Sequence, residues 1–332
     1  MRIAFFSTKS YDLLHFEKLA EKKGHEINFY EDYLSVKTVS LCQGHQAVCV
    51  FVNDKITRRV AEKLSEYGVR IIALRCAGFN NVDLKATRDQ GIKVVRVPAY
   101  SPEAVAEHAV ALLLTLNRKT HKAFNRVRDS NFSIEGLTGF NLHKKTVGVI
   151  GTGAIGRAFC RIMLGFGCRV LAMDPFPSDE VENLGVSYVE KEELFHKSDI
   201  ISLHCPLTPQ THHLINEETI PLLKRGVAII NSSRGPLIDT LEVIRALKKG
   251  KIGMLGIDVY EQEEPIFFKD LSDEVIQDDI LMRLMTFPNV LITSHQAFLT
   301  EEALEQIAET TFRNLESFSK GEDLVNEVLP PI

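Results

Sequence analysis

The chain has 332 residues, of which 45% are hydrophobic and 25% charged, a balance typical of a globular protein long enough for two domains. Its 39 basic and 44 acidic side chains give a net charge of −5, so no overall basic field favours nucleic acid or an anionic membrane as a partner. No stretch approaches the roughly 18–20 consecutive apolar residues of a membrane helix, and the first residues lack the pattern of a signal peptide. We therefore expect a cytoplasmic protein.

The first hundred residues alternate short apolar runs with helical patterns. The runs predict strands at residues 3–6, 47–52, 71–74 and 93–97, and the helical patterns predict helices at 11–23 and 57–67. Gly24 and Gly68 follow the two predicted helices and are suited to end them. Alternation of this kind predicts a parallel sheet with helices on both faces.

A long helix is predicted to begin after Ser101 and to run to about residue 128. Ser101 is a suitable N-cap, Pro102 fits the first helical position, and Glu103 suits the positive end of the helix. The first half is strongly apolar. Such a helix either crosses between domains or packs against another subunit, or it is simply a long core helix.

A second series of strands and helices begins at residue 146. It predicts strands at 147–150, 169–173, 200–203, 227–230, 254–257 and 290–292, and a helix at 154–165. The stretch 261–286 is acidic and irregular. A final helix is predicted over 300–320, ended by Gly321.

A glycine-rich turn joins the first strand of this series to its helix. It reads Gly151-Thr152-Gly153-Ala154-Ile155-Gly156, and Asp174 ends the next predicted strand. This context is typical of a dinucleotide site, in which the helix N-terminus faces the pyrophosphate and the acid hydrogen-bonds a ribose hydroxyl. Because a carboxylate repels a 2′-phosphate, the sequence predicts NAD rather than NADP.

Polar residues recur where the later predicted strands end. The positions predicted to line the cofactor are His204, Cys205, Pro206, Ser232, Ser233 and Asp258. In a doubly wound sheet, ligands bind beyond the carboxyl ends of the strands. We therefore expect these side chains to share one rim with Arg234 and His295.

The same rim offers the groups that reduction of a 2-keto acid requires. Arg234 can bind a carboxylate through two hydrogen bonds, and His295 is suited to donate a proton near neutral pH. A carboxylate beside His295 would favour its protonated form. Glu261, Glu263 and Glu264 are candidates, and spacing alone does not choose among them.

Other chemistry finds little support in the sequence. The six cysteines form no C-x-x-C pair, and the adjacent His212 and His213 are poorly placed to chelate one ion, so we expect no metal site. No G-x-S-x-G turn of a serine hydrolase occurs.

Seven stretches resemble the D-isomer-specific 2-hydroxyacid dehydrogenase family, most closely its fermentative, lactate-type branch. They are LRCAGFNNVD (74–83), VPAYSPEAVAEH (97–108), GTGAIG (151–156), SLHCPLT (202–208), NSSRG (231–235), GIDVYE (256–261) and HQAFLT (295–300). They follow the family's order and span nearly the whole chain. One departure is that Glu264 separates Glu263 from Pro265, where many members have the proline directly after the acid.

The resemblance implies an α/β protein of two doubly wound parallel-sheet domains. A Rossmann-type NAD-binding domain at 101–296 would be inserted into a flavodoxin-like substrate domain made of residues 1–100 and 297–332. It implies Arg234, Glu263 and His295 as catalytic residues, and Asp258 as a contact of the nicotinamide carboxamide. The substrate-binding positions that it implies are Phe51, Arg75, Ala77, Gly78, Tyr100 and Phe298.

The implied reaction is reduction of pyruvate to D-lactate by NADH, with His295 as proton donor and the active site in a cleft between the domains. One alternative is a dehydrogenase of bulkier D-2-hydroxy acids. Another, from a different class, is an NAD-sensing corepressor that docks peptides. The helix after Ser101 matches the family's dimer-forming region, so we expect a homo-oligomer with a dimer core, either a dimer or a tetramer.

Overall fold

The structure is a computed structural model that describes residues 1–330. The chain divides into two compact units. The first contains Met1–Ser101 and the C-terminal segment from Phe298 onward, and the second is Pro102–Ala297. Each boundary lies one residue from the position that the sequence suggested.

The first unit contains a five-stranded parallel sheet. Its strands are β1 (Arg2–Phe5), β2 (Glu26–Phe29), β3 (Ala47–Val50), β4 (Ile71–Leu74) and β5 (Lys93–Arg96). They lie in the order β2-β1-β3-β4-β5, which is the flavodoxin-like doubly wound order. The helices between them are α1 (Ser10–Lys23), α2 (Arg58–Glu66) and α3 (Leu84–Asp89). The predicted α/β class and parallel pairing are confirmed for this unit.

The second unit contains a seven-stranded parallel sheet. Its strands are β6 (Thr146–Ile150), β7 (Arg169–Met173), β8 (Ser187–Tyr188), β9 (Ile200–Leu203), β10 (Val227–Asn231), β11 (Ile252–Ile257) and β12 (Val290–Ile292). Its helices are α4 (Pro102–Arg118), α5 (Thr120–Arg128), α6 (Ala154–Gly165), α7 (Asp179–Asn183), α8 (Lys191–Lys197), α9 (Thr240–Lys248) and α10 (Asp279–Met285). The order β12-β11-β10-β9-β6-β7-β8 reverses direction between β6 and β9, and ligands bind beyond such a switch point.

The period of two along the strands explains how this sheet buries both faces. On β10, Ala228 and Ile230 pack on one face with α4 and α6, whereas Val227 and Ile229 pack on the other. Because both faces are apolar, the strands read as continuous hydrophobic runs, which is why the sequence located them.

The last helix, α11 (Glu301–Lys320), belongs to the first unit. The Thr300 side chain caps it by accepting a hydrogen bond from the Ala303 N–H. The helix packs on α1 and β4, and Lys23 Nζ lies 2.9 Å from Glu316 Oε1. Because α11 packs on these N-terminal elements, the first unit contains residues from both ends of the chain. Within residues 1–330, no helix is long and apolar enough to cross a membrane.

Two predicted features differ from the structure, and two observed strands, β2 and β8, were not predicted. The single helix proposed to reach residue 128 is two helices, because Lys119 adopts a left-handed conformation with φ of 51°. The stretch 261–286 is not wholly irregular, since Asp278 caps α10 by accepting from the Ile280 and Leu281 N–H groups. Strand β2 was not predicted, because its residues are only partly buried and form no apolar run.

Candidate active site

The His295 and Glu263 side chains are within hydrogen-bond distance of each other in the second unit. His295 Nδ1 lies 2.8 Å from Glu263 Oε1, and each side chain is 22% exposed. The other carboxylate oxygen accepts a hydrogen bond from the Tyr260 N–H, which fixes its direction. With Nδ1 facing a carboxylate, Nε2 is left to face a reactant. This is the arrangement of a supported general acid–base.

The three glutamates that could support His295 differ in their observed contacts. Glu261 turns to His213, with Oε1 2.7 Å from Nε2, and its other oxygen accepts from the Thr240 N–H. Glu264 is exposed. Only Glu263 is brought to His295, which agrees with the position that the resemblance implied.

The turn that carries His295 is held by one buried carboxylate. His295 has a φ of 55°, a conformation that a non-glycine residue rarely adopts. Asp258 Oδ1 accepts from the Gln296 N–H at 2.9 Å, and Oδ2 accepts from the Ala297 N–H at 2.8 Å. Thr293 Oγ1 donates to Oδ1 at 2.5 Å. Asp258 therefore fixes the residues on both sides of His295.

Burial alone would raise the pKa of Asp258, but the donors around it hold that pKa below its usual value. The carboxylate is fully buried, and both of its oxygens are occupied by this turn. It therefore presents no surface to a nicotinamide in this conformation. The cofactor contact that the resemblance implied for Asp258 stays a prediction, whereas its support of the turn is observed.

Arg234 projects from the loop after β10. Asn231 shapes this loop, since its Nδ2 donates to the Arg234 carbonyl and its Oδ1 accepts from the Ser233 N–H. A Cβ on Gly235 would lie 2.2 Å from the Tyr260 backbone, so a glycine is needed where this loop meets the segment leading to Glu263. Within residues 1–330, the guanidinium makes one hydrogen bond, to the Ser233 carbonyl, and its remaining donors are free for an anion.

The glycine-rich turn after β6 has the shape of a phosphate site. A Cβ on Gly151 would lie 2.6 Å from the Cys205 nitrogen, and one on Gly156 would lie 1.9 Å from the Gly151 oxygen. A Cβ on Gly153 would meet nothing within 4 Å, so its backbone faces open space. Helix α6 begins at Ala154 without a side-chain cap. The N–H groups of its first turn, which includes Ile155 and Gly156, therefore suit a pyrophosphate.

Asp174 is fixed beside this turn at the end of β7. One of its oxygens accepts from the Thr152 N–H at 2.7 Å, and the other accepts from the Phe176 N–H at 2.9 Å. The first oxygen also accepts from the Thr152 hydroxyl at 3.2 Å, whereas the second keeps capacity for a further donor such as a ribose hydroxyl. This placement suits the role that the sequence predicted.

The loops after β9 and β10 complete the rim. Burial lowers the pKa of His204 to about 3, so its ring is neutral, and burial raises the pKa of Cys205 to about 11. The Ser233 hydroxyl donates to the Cys205 carbonyl at 2.7 Å and ties the loops together, whereas Pro206 is exposed. The Ser232 hydroxyl is buried with no hydrogen-bond partner among the described residues. An unpaired buried hydroxyl and an open glycine turn fit a bound dinucleotide.

The predicted substrate residues of the first unit form a second cluster. The Phe298 ring lies 5.9 Å from that of Phe51 and 6.2 Å from that of Tyr100. The carbonyls of Ala77 and Gly78 accept from Arg96 Nη1 and the Cys76 thiol. Their two N–H groups have no partner within residues 1–330, as an anion-binding loop requires.

Arg75 packs against the Phe51 ring of this cluster and is held by buried polar contacts. It is 2% exposed, its Nε lies 3.2 Å from Asp12 Oδ1, and Nη2 donates to the Ser7 carbonyl at 2.8 Å. Its guanidinium lies over the rings of Phe5 and Phe51, at 4.3 and 4.9 Å from their centroids. The observed contacts are structural, and direct binding of a substrate by Arg75 stays a prediction.

The sequence reasoning missed three supporting residues. Tyr11 is a further ring of the cluster, 6.4 Å from Phe298. Asp54 is fully buried and accepts from the Ser7 hydroxyl and from the Leu34 and Phe51 N–H groups. His108 contacts Thr293 beside Asp258. Tyr11 and Asp54 had a usable signal, since they follow β1 and β3 at the carboxyl edge of the first sheet.

Comparisons with known proteins agree with this geometry. A family model described as the NAD-binding domain of D-isomer-specific 2-hydroxyacid dehydrogenases matches residues 110–297. The D-lactate dehydrogenase of Escherichia coli K12 is 55% identical, with 99% of this chain and 100% of that protein covered.

Solved structures show the same likeness. The apo-structure of the Escherichia coli D-lactate dehydrogenase has a TM-score of 0.92 and 53% identity, covering 99% of this chain and 100% of that one. An NAD-complexed D-isomer-specific 2-hydroxyacid dehydrogenase from Lactobacillus delbrueckii ssp. bulgaricus has a TM-score of 0.82 and 31% identity, with the same coverage of both chains.

Proposed function

This chain belongs to the D-isomer-specific 2-hydroxyacid dehydrogenase family, and from that premise we propose that it reduces pyruvate to D-lactate. It is an NAD-dependent oxidoreductase that acts on the CH–OH group of a 2-hydroxy acid. When bound, NADH supplies the hydride that reduces the keto carbon. The chain's own residues must then hold the substrate and protonate its oxygen.

The contact between His295 and Glu263 is the observation that carries the proposal. An imidazole with one nitrogen on a carboxylate is stabilised in its protonated form, and its second nitrogen can give a proton to the oxygen that develops negative charge. Glu263 holds the ring in place through Nδ1 while the proton leaves Nε2. Both side chains are half-buried, which limits their exposure to water while leaving them accessible to a reactant.

Binding of the substrate carboxylate is assigned to two groups of donors. Arg234 has guanidinium N–H groups to spare, and a guanidinium matches the two oxygens of a carboxylate. The family resemblance implies the backbone N–H groups of Ala77 and Gly78, in the first unit, as further donors. The aromatic rings of Phe51, Tyr100 and Phe298 would wall the methyl group of pyruvate.

The test is an NADH-oxidation assay with pyruvate, 2-ketoisocaproate and phenylpyruvate, followed by chiral analysis of the product. We expect pyruvate to be the best substrate and D-lactate to be the product. A product of the L configuration would overturn the proposal. Faster turnover of either bulkier acid would replace pyruvate with that class. Failure of all three acids to oxidise NADH would favour a binding protein that senses NAD.

We also propose that the protein is a homo-oligomer with a dimer core. The segment after α4 exposes several large apolar side chains, which a monomer would leave in water. These are Phe124, Val127, Phe132 and Ile134, exposed by 61%, 53%, 75% and 83%. Light scattering behind size exclusion should give a dimer or a tetramer, and a monomer at micromolar concentration would refute the proposal.

A cytoplasmic location is proposed on the state of the cysteines. All six are buried and unpaired, as is usual in a reducing compartment. Cell fractionation of the source organism should recover the activity with the cytoplasmic enzymes, and recovery from an oxidising compartment would contradict this assignment.

A further inference from the structure

His108 reaches the buried carboxylate that holds the turn of His295. It lies on α4, which packs on β11, and Asp258 follows the last residue of that strand. His108 Nε2 lies 3.0 Å from Thr293 Oγ1 and 3.4 Å from Asp258 Oδ1. The side chain is 17% exposed. The observed contacts of Glu263 are with His295 and the Tyr260 N–H, so we expect any effect of His108 on the chemistry to pass through the turn.

Counting protons fixes the role of each atom in this network. The Thr293 hydroxyl has one proton, and at 2.5 Å it is donated to the ionised Asp258 carboxylate. The Thr293 oxygen therefore faces His108 as an acceptor. His108 must carry a proton on Nε2, and this N–H donates to Thr293 with Asp258 Oδ1 close by.

We infer that His108 is a positioning residue for His295, acting through Thr293 and Asp258. Its N–H orients the Thr293 hydroxyl toward Asp258, and the oriented carboxylate keeps the N–H groups of Gln296 and Ala297. These bonds impose the positive φ of His295, which non-glycine residues hold only when their surroundings require it. The inference rests on the proposed function, because it takes His295 as the proton donor.

The central test compares His108→Leu, which removes the N–H, with His108→Gln, whose amide N–H can take the place of Nε2–H. We expect His108→Leu to lower kcat by about tenfold, as for loss of one hydrogen bond to a polar network. KM for pyruvate and the Kd for NADH should stay close to wild type, because the inference gives His108 a role only through Thr293 and Asp258. His108→Gln should recover most of kcat. His121→Leu, a half-buried histidine outside this network, is the matched control and should leave kcat unchanged.

A double-mutant cycle with Thr293→Val separates this route from general damage. If His108 acts through Thr293, the double variant His108→Leu/Thr293→Val should be little slower than either single variant. Additive losses would overturn the inference, as would an unchanged kcat in His108→Leu or an equal loss in His108→Gln. If His108→Leu does not fold, Thr293→Ser and Thr293→Val decide the matter, since equal rates for these two would also overturn it.

Hydrogen exchange in the ligand-free protein provides a readout that does not depend on turnover. The amides of Gln296 and Ala297 should exchange faster in His108→Leu than in wild type, and His108→Gln should restore their protection. Equal protection in all three proteins would overturn the inference. Because wild-type turnover of pyruvate is not needed for this measurement, failure of the proposed function and failure of the His108 inference are distinguishable.

Discussion

The polar turn around His295 and the aromatic cluster around Phe298 are three residues apart in sequence and are built in different ways. In the turn, each reactive or supporting group is fixed by directional hydrogen bonds, including 2.8 Å between His295 and Glu263. In the cluster, Phe298 meets the rings of Tyr11, Phe51 and Tyr100 at centroid distances of 5.9–6.4 Å. The first arrangement fixes angles, and the second fills volume.

This difference indicates which property each region controls. Proton transfer requires a donor within hydrogen-bond distance of its acceptor, so loss of one contact in the turn should cost rate. Ring packing tolerates changes of volume far better, so changes in the cluster should alter which substrate is preferred more than how fast it reacts. The variants below test whether chemistry and selectivity divide between the regions in this way.

The largest expected effect is the loss of turnover in His295→Ala. Removing the proton donor should lower kcat by about 10²–10⁴-fold, which is the usual contribution of general acid–base catalysis. NADH binding, measured by fluorescence titration, should remain close to wild type. His196→Ala, at an exposed position on α8, is the control. Turnover of His295→Ala near the wild-type rate would remove the polar turn from the mechanism.

Arg75→Met tests the buried cation that lies against the Phe51 ring of the aromatic cluster. The substitution leaves Asp12 and Asp54 buried without their cation, and removing one partner of a buried pair lowers the free energy of unfolding by about 3–5 kcal/mol. Equilibrium urea unfolding measures this loss.

Arg2→Met is the matched control, because Arg2 pairs with Glu26 on the surface with 48% of its side chain exposed. Loss of such a pair changes stability by about 0–1 kcal/mol. A similar loss in the two variants would show that Arg75 does not support the cluster.

Both the predicted strands and the predicted helices lie close to the observed elements, and the main error among the helices is the break between α4 and α5. Strands buried on both faces appear as continuous apolar runs, and their predicted ends lie within two residues of those observed. The break between α4 and α5 was not visible, because it accompanies two hydrogen bonds between distant residues. Asn117 Nδ2 donates to the Phe140 carbonyl, and Asn117 Oδ1 accepts from the Phe140 N–H, 23 residues away. No local pattern encodes such a contact.

The polar site was also more predictable than its supports. Arg234 and His295 lie directly after strands, and parallel strands bring their carboxyl ends to one edge. Spacing did not separate Glu263 from Glu261, because the choice depends on which acid His213 occupies. His108 stands at the end of a stretch that resembles the family, but nothing in the sequence indicated its role, because its partners Thr293 and Asp258 lie far along the chain.

Asp174→Ala tests the cofactor end of the polar rim. The variant should lose much of its preference for NADH over NADPH, because it removes the ribose acceptor and also the charge that repels a 2′-phosphate. Hydrogen bonds to charged groups contribute about 1.5–3 kcal/mol, which corresponds to roughly 10–100-fold in the ratio of kcat/KM values. Asp179→Ala, at an exposed position on α7, is the control. An unchanged ratio would mean that Asp174 does not determine the preference for NADH over NADPH.

The smallest expected effect comes from Tyr11, a ring of the aromatic cluster that lies in the first turn of α1. Tyr11→Leu should raise kcat/KM for 2-ketoisocaproate relative to pyruvate by a few-fold, below the roughly 10–200-fold that a full methylene-sized difference in a pocket can give. Tyr11→Phe keeps the ring and should leave the ratio unchanged. Equal shifts in the two variants would assign the effect to the hydroxyl group. No shift in Tyr11→Leu would show that volume in this cluster does not set selectivity, and the division between the two regions would fail on its aromatic side.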